Sequence, residues 1–302
     1  MTVTQSGKGR GLKVLCSLLG YTRQAYYKQR RRMERRAVGA ELILQEVVRI
    51  RSSQRRIGVR KLHYMMGPFT REHGIEMGRD ALCDLLREHS MLVRRRRRRG
   101  PRTTFSCFWR KSYPNLAKDF TPVAGNQMWV SDITYIRIKE GFAYLSLITD
   151  AYSRKIVGHH LRGDLTARGP AAALRMALKA NPTRDGLIHH SDRGLQYYSG
   201  EYMKLIGRKI RVSMSEKSDP LENAIAERVN GILKQELLAK SFSSLSEAQR
   251  EVAKAVSIYN HLRPHLSIDM LTPAEAHAQT GQLTKRWKNY YSANNVLSQA
   301  MA

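Results

Sequence analysis

The chain has 302 residues, room for about two domains and a sizeable core. Its 53 Lys and Arg outweigh 25 Asp and Glu, a formal net charge of +28 in an otherwise globular composition that is 42% hydrophobic and 26% charged. Such a surplus repels itself unless a polyanion neutralises it, so nucleic acid is the favoured partner, and extracellular roles or acidic small substrates are disfavoured. Composition alone leaves a ribosomal or chromatin-like binder open.

Cys16, Cys83 and Cys107 are far apart and form no CxxC, which argues against a disulfide framework or zinc ribbon and fits a reducing, cytoplasmic setting. His63, His73 and Cys83 lack the second cysteine that a zinc site of this kind would need. No apolar run approaches the roughly 18 residues of a membrane span, so no membrane partner is expected.

The basic surplus is uneven: 27 basic and 8 acidic residues precede position 111, against 26 and 17 in the remaining 192. The front third is therefore the stronger polyanion binder. Leu12, Val14, Leu15, Leu18 and Leu19 recur at helical spacing and stop at Gly20, after which Thr22 can cap a second helix through Ala25, Tyr26 and Tyr27. Two helices around a glycine turn read as a helix-turn-helix, with Arg23 a candidate DNA contact. A longer helix carries Leu42, Ile43, Val47, Val48 and Ile50. A second helical pair follows near Val59 to Met66, including the candidate contacts Arg60 and Lys61, and from Arg79 to Glu88. Arg94, Arg95, Arg96, Arg97, Arg98 and Arg99 form an unbroken run closed by Gly100 and Pro101; it reads as a solvated linker or as a tract that follows phosphate.

From Gln127 the pattern changes. Met128 to Ile138 and Ala143 to Thr149 are rich in β-branched and aromatic residues around a Lys139-Glu140-Gly141 turn, which predicts a hairpin, and Ile156 to Leu161 predicts a third strand. A helix over 167–180, a strand over 186–190, a helix over 201–207, a strand over 210–214 and a long helix over 221–239 follow. Three strands and then alternating α and β describe an α/β fold, a ribonuclease-H-like mixed sheet with flanking helices, preceded by an all-α helix-turn-helix region. The expected segments are 1–52, 53–93, an arginine-rich linker 94–122, a catalytic core 123–280 and a tail 281–302.

Asp132 interrupts an otherwise strong strand, and Asp192 follows the strand ending at His190, where α/β sheets gather ligands. Glu227 lies 35 positions after Asp192 on the long helix, in a polar stripe of Asn223, Glu227, Asn230 and Lys234 spaced +4, +3 and +4. Three carboxylates can hold two Mg²⁺ ions for phosphodiester chemistry, although a triple of acids can be drawn in many places among 25. Asp150 ends the second strand and reads as structural, with remote tuning of a bound metal as the alternative. His189 and His190 could position a metal-bound water or simply be hydrogen-bonded at a strand end. Tyr259, Arg263 and His265 lie on or just after a helix and could grip phosphate, whereas Trp109, Trp129 and Trp287 read as packing residues.

Several longer words run through the chain in order: Trp129 to Ile136, Asp150 to Gly158, His190 to Tyr197, Ser213 to Ser215, Asn223 to Glu227, Leu233 to Leu237, Tyr259 to His265, and Thr272-Pro273. In these the sequence resembles the larger reading-frame product of bacterial insertion-sequence transposases with a retroviral-integrase-type DDE core. Leu15 to Gly20 with Tyr26-Tyr27, and Ile57 to His63, resemble the family's helix-turn-helix segments. Leu195, Glu216, Ser218, Leu221, Glu222 and Arg228-Val229-Asn230 depart from the family's usual wording, at positions that bear on substrate loops rather than on the carboxylates.

The resemblance implies a DNA transposase that cleaves element ends with Mg²⁺ and transfers strands by a 3′-hydroxyl. Asp132, Asp192 and Glu227 would be its catalytic and metal-binding triad for two ions, with Mn²⁺ able to substitute. The family's basic residue seven after the glutamate falls on Lys234. Implied partners are double-stranded DNA (terminal repeats and target), further copies of the chain assembled on DNA, and an upstream frameshift partner, in a bacterial, nucleoid-associated setting. The rival readings are a nuclease on the same fold and a catalytically silent DNA-binding regulator.

Overall fold

The computed structural model describes residues 10–93, 113–118, 120–181, 185–216 and 223–286. It divides into two compact units, residues 1–52 with 57–94 and residues 53–56 with 95–302. The arginine run 94–99, Trp109 and Trp287 lie outside the described residues.

The first unit is helical: α1 (Arg10–Leu18), α2 (Arg23–Ser53), α3 (Val59–Met65), α4 (Gly67–Glu72) and α5 (Arg79–Glu88). Gly20 takes φ +72° at the first turn, a conformation that glycine adopts freely. The Thr22 hydroxyl accepts from the Ala25 N–H at 3.1 Å, the cap that the sequence suggested. The two helices expected around Tyr26 and Leu42 are one 31-residue helix. No proline interrupts it, and Gly39, the one glycine inside, faces Ile75, whose nearest carbon is 3.6 Å from where a Cβ would stand. The boundary expected at 52/53 likewise falls in the last turn of α2. Ile43, Val47 and Ile50 before it share one core with Ile57, Leu62, Met66, Leu82 and Leu86 beyond it, so burial joins the two segments.

The second unit is built on five strands: β1 (Met128–Ile138), β2 (Gly141–Asp150), β3 (Ile156–Arg162), β4 (Ile188–Ser191) and β5 (Arg211–Met214). Their order is β3-β2-β1-β4-β5, with β1 to β3 antiparallel and β4 and β5 parallel to β1. This is the ribonuclease-H-like mixed sheet. Its helices are α6 (Arg168–Ala180), α7 (Gly200–Ile206), α8 (Ala224–Ile232), α9 (Leu245–His261) and α10 (Pro273–His277). Of the helix expected over 221–239, the described residues are α-helical in α8 and wind as a π-helix over 233–237.

Period-two alternation sorts the strand residues between two cores. Ile136, Ala143, Leu145 and Leu147 pack with Val229 and Ile232 of α8 and with Val252 and Val256 of α9. Trp129, Ile148 and Val157 pack with Leu174 and Ala177 of α6 and with Tyr202 and Ile206 of α7. Asn260 on α9 staples that helix to β3, donating to the Ile156 carbonyl and accepting from the Ile156 N–H, both at 2.9 Å. Among the described residues no helix is long and apolar enough to cross a membrane.

Gly158 lets α6 lie close on β3, because a Cβ there would stand 2.2 Å from the Ala173 carbonyl oxygen. Gly158→Ala should therefore cost about 3 kcal/mol in urea unfolding, since backbone cannot yield as a side chain can. Gly163→Ala, whose Cβ would meet only Leu245 at 3.7 Å, should stay within about 0.5 kcal/mol. Equal effects would show that the close approach carries no weight.

Candidate active site

The parallel pairing of β1 with β4 sets Val130 beside His190 and Ser131 beside Ser191. The next residue on each strand is Asp132 and Asp192, so the register brings the two carboxylates together. Asp132 shares a face with Val130, which packs against Ala226 of α8, while Trp129 points into the opposite core. α8 covers the Asp132 face and carries Glu227 in its first turn, exposed to solvent.

Three polar side chains fasten this helical segment to consecutive parts of β1. Asn223 donates to the Ser131 carbonyl at 3.1 Å, Asn230 to Asp132 Oδ2 at 2.6 Å, and Lys234 Nζ to Thr134 Oγ1 at 3.1 Å. The stripe read from the sequence is thus a zipper along the strand, with Glu227 between its first two teeth. Asp132 Oδ1 accepts from the Ile133 N–H at 2.9 Å, and Asp192 Oδ1 from the Gly194 N–H at 3.1 Å. A Cβ on Gly194 would stand 3.0 Å from that Asp192 oxygen, so glycine permits the approach.

Desolvation raises Asp132 to about 7, with the Asp192 charge adding to it and the Ile133 and Asn230 hydrogen bonds opposing it; Glu227 adds a smaller upward push. Asp192 is raised by desolvation and lowered by the Gly194 N–H. Tyr197, buried and bonded to Ser131 Oγ at 3.2 Å, is raised by burial and then by Asp192. Among the described residues the site gathers carboxylate charge, with Lys234 a cation that feels Asp132. Among the described residues no three His, Cys, Asp or Glu side chains close around one point. Asp132 and Asp192 face each other, and Glu227 stands off on the solvent side.

The remaining candidates fall elsewhere. Lys234 is half-buried, 4.5 Å from the Tyr135 ring centre; burial lowers its pKa and the Asp132 charge raises it, so it does not project freely toward solvent. Tyr259, Arg263 and His265 are buried, Arg263 with 1% of its surface exposed and bonded to Glu236. Burial corrects the expectation that these three grip phosphate. His189 bonds the Tyr202 hydroxyl and is pushed down to about 4 by burial, and His190 bonds Ser213 Oγ at 2.8 Å; both are strand-packing residues. Asp150 is fully buried and accepts from the Asn126 and Ser153 N–H groups and the Ser153 hydroxyl, a structural turn. Arg23 and Arg60 are exposed and Lys61 is partly so. Sequence reasoning placed Asn230 on the right face but missed that it holds Asp132. Its +3 spacing from Glu227 was the available signal.

Two sequence profiles described as integrase core domain match residues 122–220 and 208–273. The chain is 34% identical over 267 residues to the 31 kDa protein of insertion element IS600 of Shigella sonnei, covering 86% of this chain and 96% of that protein. It is 34% identical over 186 residues to the transposase of insertion sequence IS904 of Lactococcus lactis, covering 59% of this chain and 73% of that protein. The chain belongs to the insertion-sequence transposase family with an integrase-type core. Among solved structures, the catalytic core domain of HTLV-2 integrase in complex with magnesium aligns with a TM-score of 0.40 at 19% identity, over 52% of this chain and 99% of that one.

The raised Asp132 has a measurable consequence for this family member. Because its folded pKa lies above the unfolded value, its contribution to stability is present below about pH 4 and is lost as pH rises through 7. In Asp132→Asn, Asn230 can flip so that its buried and otherwise unpaired Oδ1 accepts from the new amide. Metal-free Asp132→Asn should match wild type near pH 4 and exceed it by about 1–2 kcal/mol at pH 8 in urea unfolding. A difference independent of pH would mean that Asp132 ionises as an ordinary surface carboxylate.

Proposed function

We propose that this chain hydrolyses the phosphodiester bond at the ends of an insertion element and joins the freed 3′-hydroxyl to target DNA. The observation that carries this reading is the juxtaposition of Asp132 and Asp192 beneath α8 in a chain of the transposase family. Two desolvated carboxylates, with the Asp192 charge adding to the rise of Asp132, ask for a cation at neutral pH. All-oxygen donors suit Mg²⁺, with Mn²⁺ as a substitute, and Asp132, Asp192 and Glu227 would hold a pair of such ions. Bound there, the ions supply an activated water or 3′-hydroxyl and stabilise the leaving oxygen.

The protein's own groups prepare the site. Asn230 fixes Asp132 Oδ2 and the Gly194 N–H fixes Asp192 Oδ1, so the acceptor oxygens are held before substrate arrives. Lys234 brings a positive charge to the same face, where a DNA end would add its own negative charge. Arg23, Arg60, Lys61 and the tract Arg94 to Arg99 are the proposed phosphate contacts, consistent with the basic front third. Assembly of several copies on paired ends, an upstream frameshift partner and association with the nucleoid belong to the same reading.

Incubating the full chain with labelled terminal repeats and Mg²⁺, then mapping cut and joined strands, tests it. Asp132→Asn, Asp192→Asn and Glu227→Gln should each reduce cutting to background while DNA affinity stays within about threefold. Near-normal cutting in any one would displace that residue from the triad. Cutting without joining would make the protein a nuclease, and binding without cutting would make it a regulator.

A further inference from the structure

Tyr259, Arg263 and His265 are left without a role once their side chains are seen to be buried. Arg263 sends a fork into Glu236, with Nε at 3.0 Å and Nη2 at 2.7 Å from the same Oε2, while Nη1 meets His265 Nε2 at 2.9 Å. Glu236 belongs to the π-helical segment Leu233–Leu237, closed by the Leu238 N–H on the Leu233 carbonyl at 2.8 Å. A π turn is a less favourable winding than an α turn and persists where neighbouring structure holds it. The second residue of that turn is Lys234, whose ammonium reaches Thr134 on β1, two residues beyond Asp132.

We infer that Arg263 and Glu236 are positioning residues, clamping the π turn so that Lys234 is held against β1 beside the carboxylates. The chain of contacts is continuous. Asn260 ties α9 to β3, Arg263 just past the end of α9 ties the following segment to the π turn, and Lys234 ties the π turn to β1. The loop that follows is itself fixed, with the His265 N–H on the Leu271 carbonyl at 3.0 Å and the Met270 N–H on the His265 carbonyl at 2.8 Å. An ion pair with one partner buried and the other partly so is a poor device for stability alone, because well-packed apolar side chains do as well or better. It does fix a direction: the planar guanidinium accepts only a narrow set of carboxylate placements. Lys234 and Glu236 leave the same turn toward different partners, so fixing one fixes the other.

Two measurements on the full-length protein test the clamp; the second rests on the reading of Lys234 as a DNA-end contact, the first does not. In the first, limited acetylation is followed at Lys234 by peptide mass spectrometry, with exposed Lys240 as internal reference. Glu236→Gln should raise the Lys234 rate about fivefold relative to Lys240, as local opening frees the amine. Arg263→Met with Glu236→Leu, which removes both charges and keeps apolar volume, should do the same while thermal melting reports a folded protein. An unchanged Lys234 rate in both overturns the clamp.

In the second, Glu236→Gln should raise KM for element ends about tenfold with kcat within about twofold, and add almost nothing in a Lys234→Ala background. Effects that simply add would show that Glu236 does not act through Lys234 and would also overturn the proposal. Should wild type fail to cut ends at all, the functional reading falls and the acetylation result still decides the clamp.

Discussion

A carboxylate set in the middle of the central strand is the constraint around which the second unit is arranged. Asp132 sits on β1 between residues that pack into a helix-covered core, where an unpaired charge is unfavourable. The fold answers with dipoles instead of a cationic partner in direct contact: an amide from Asn230 and a backbone N–H from Ile133. That compensation is incomplete, since burial still raises Asp132 to about 7, and this is the physical ground for the proposal that cations bind here.

The same constraint explains why α8 lies where it does. Its apolar residues Val229 and Ile232 would allow several placements on a flat apolar sheet face, but Asn223, Asn230 and Lys234 each need a particular partner on β1. Three polar contacts at consecutive heights define one register and carry Glu227 to the solvent edge of the cleft. The departure from α-helical winding begins at Leu233, just before the last contact of the zipper at Lys234, and the charge of Glu236 in that turn is met by Arg263. Helix, strand and the word after α9 therefore act as one support for the carboxylates.

The first unit stands on different physics. Its core is formed by the second half of α2 with α3 and α5, while the first half of α2 through Val38 is exposed and dense in arginine. Such a helix gains little from burial, and its charges are satisfied by solvent or by a polyanion.

Much of this was legible in the sequence because it depends on local periodicity. The strand spans, the Gly20 turn, the Thr22 cap and the polar stripe of Asn223, Glu227, Asn230 and Lys234 follow from residue spacing, and word order alone pointed to the family. What spacing could not carry was partnership. Tyr259, Arg263 and His265 look the same in sequence whether they face DNA or the interior, and only the approach of Glu236 from a segment 27 residues earlier sets Arg263 inside. Likewise, residue spacing did not show that α2 runs unbroken from Arg23 to Ser53. The wide turn at Leu233 and the raised Asp132 depend on groups brought from other elements. Periodicity determined which face of each element is apolar and where its carboxylates stand, because those are properties of a few neighbouring residues. Tertiary structure decided which charges are inside and which are left for a substrate, because desolvation and pairing exist only after distant elements meet.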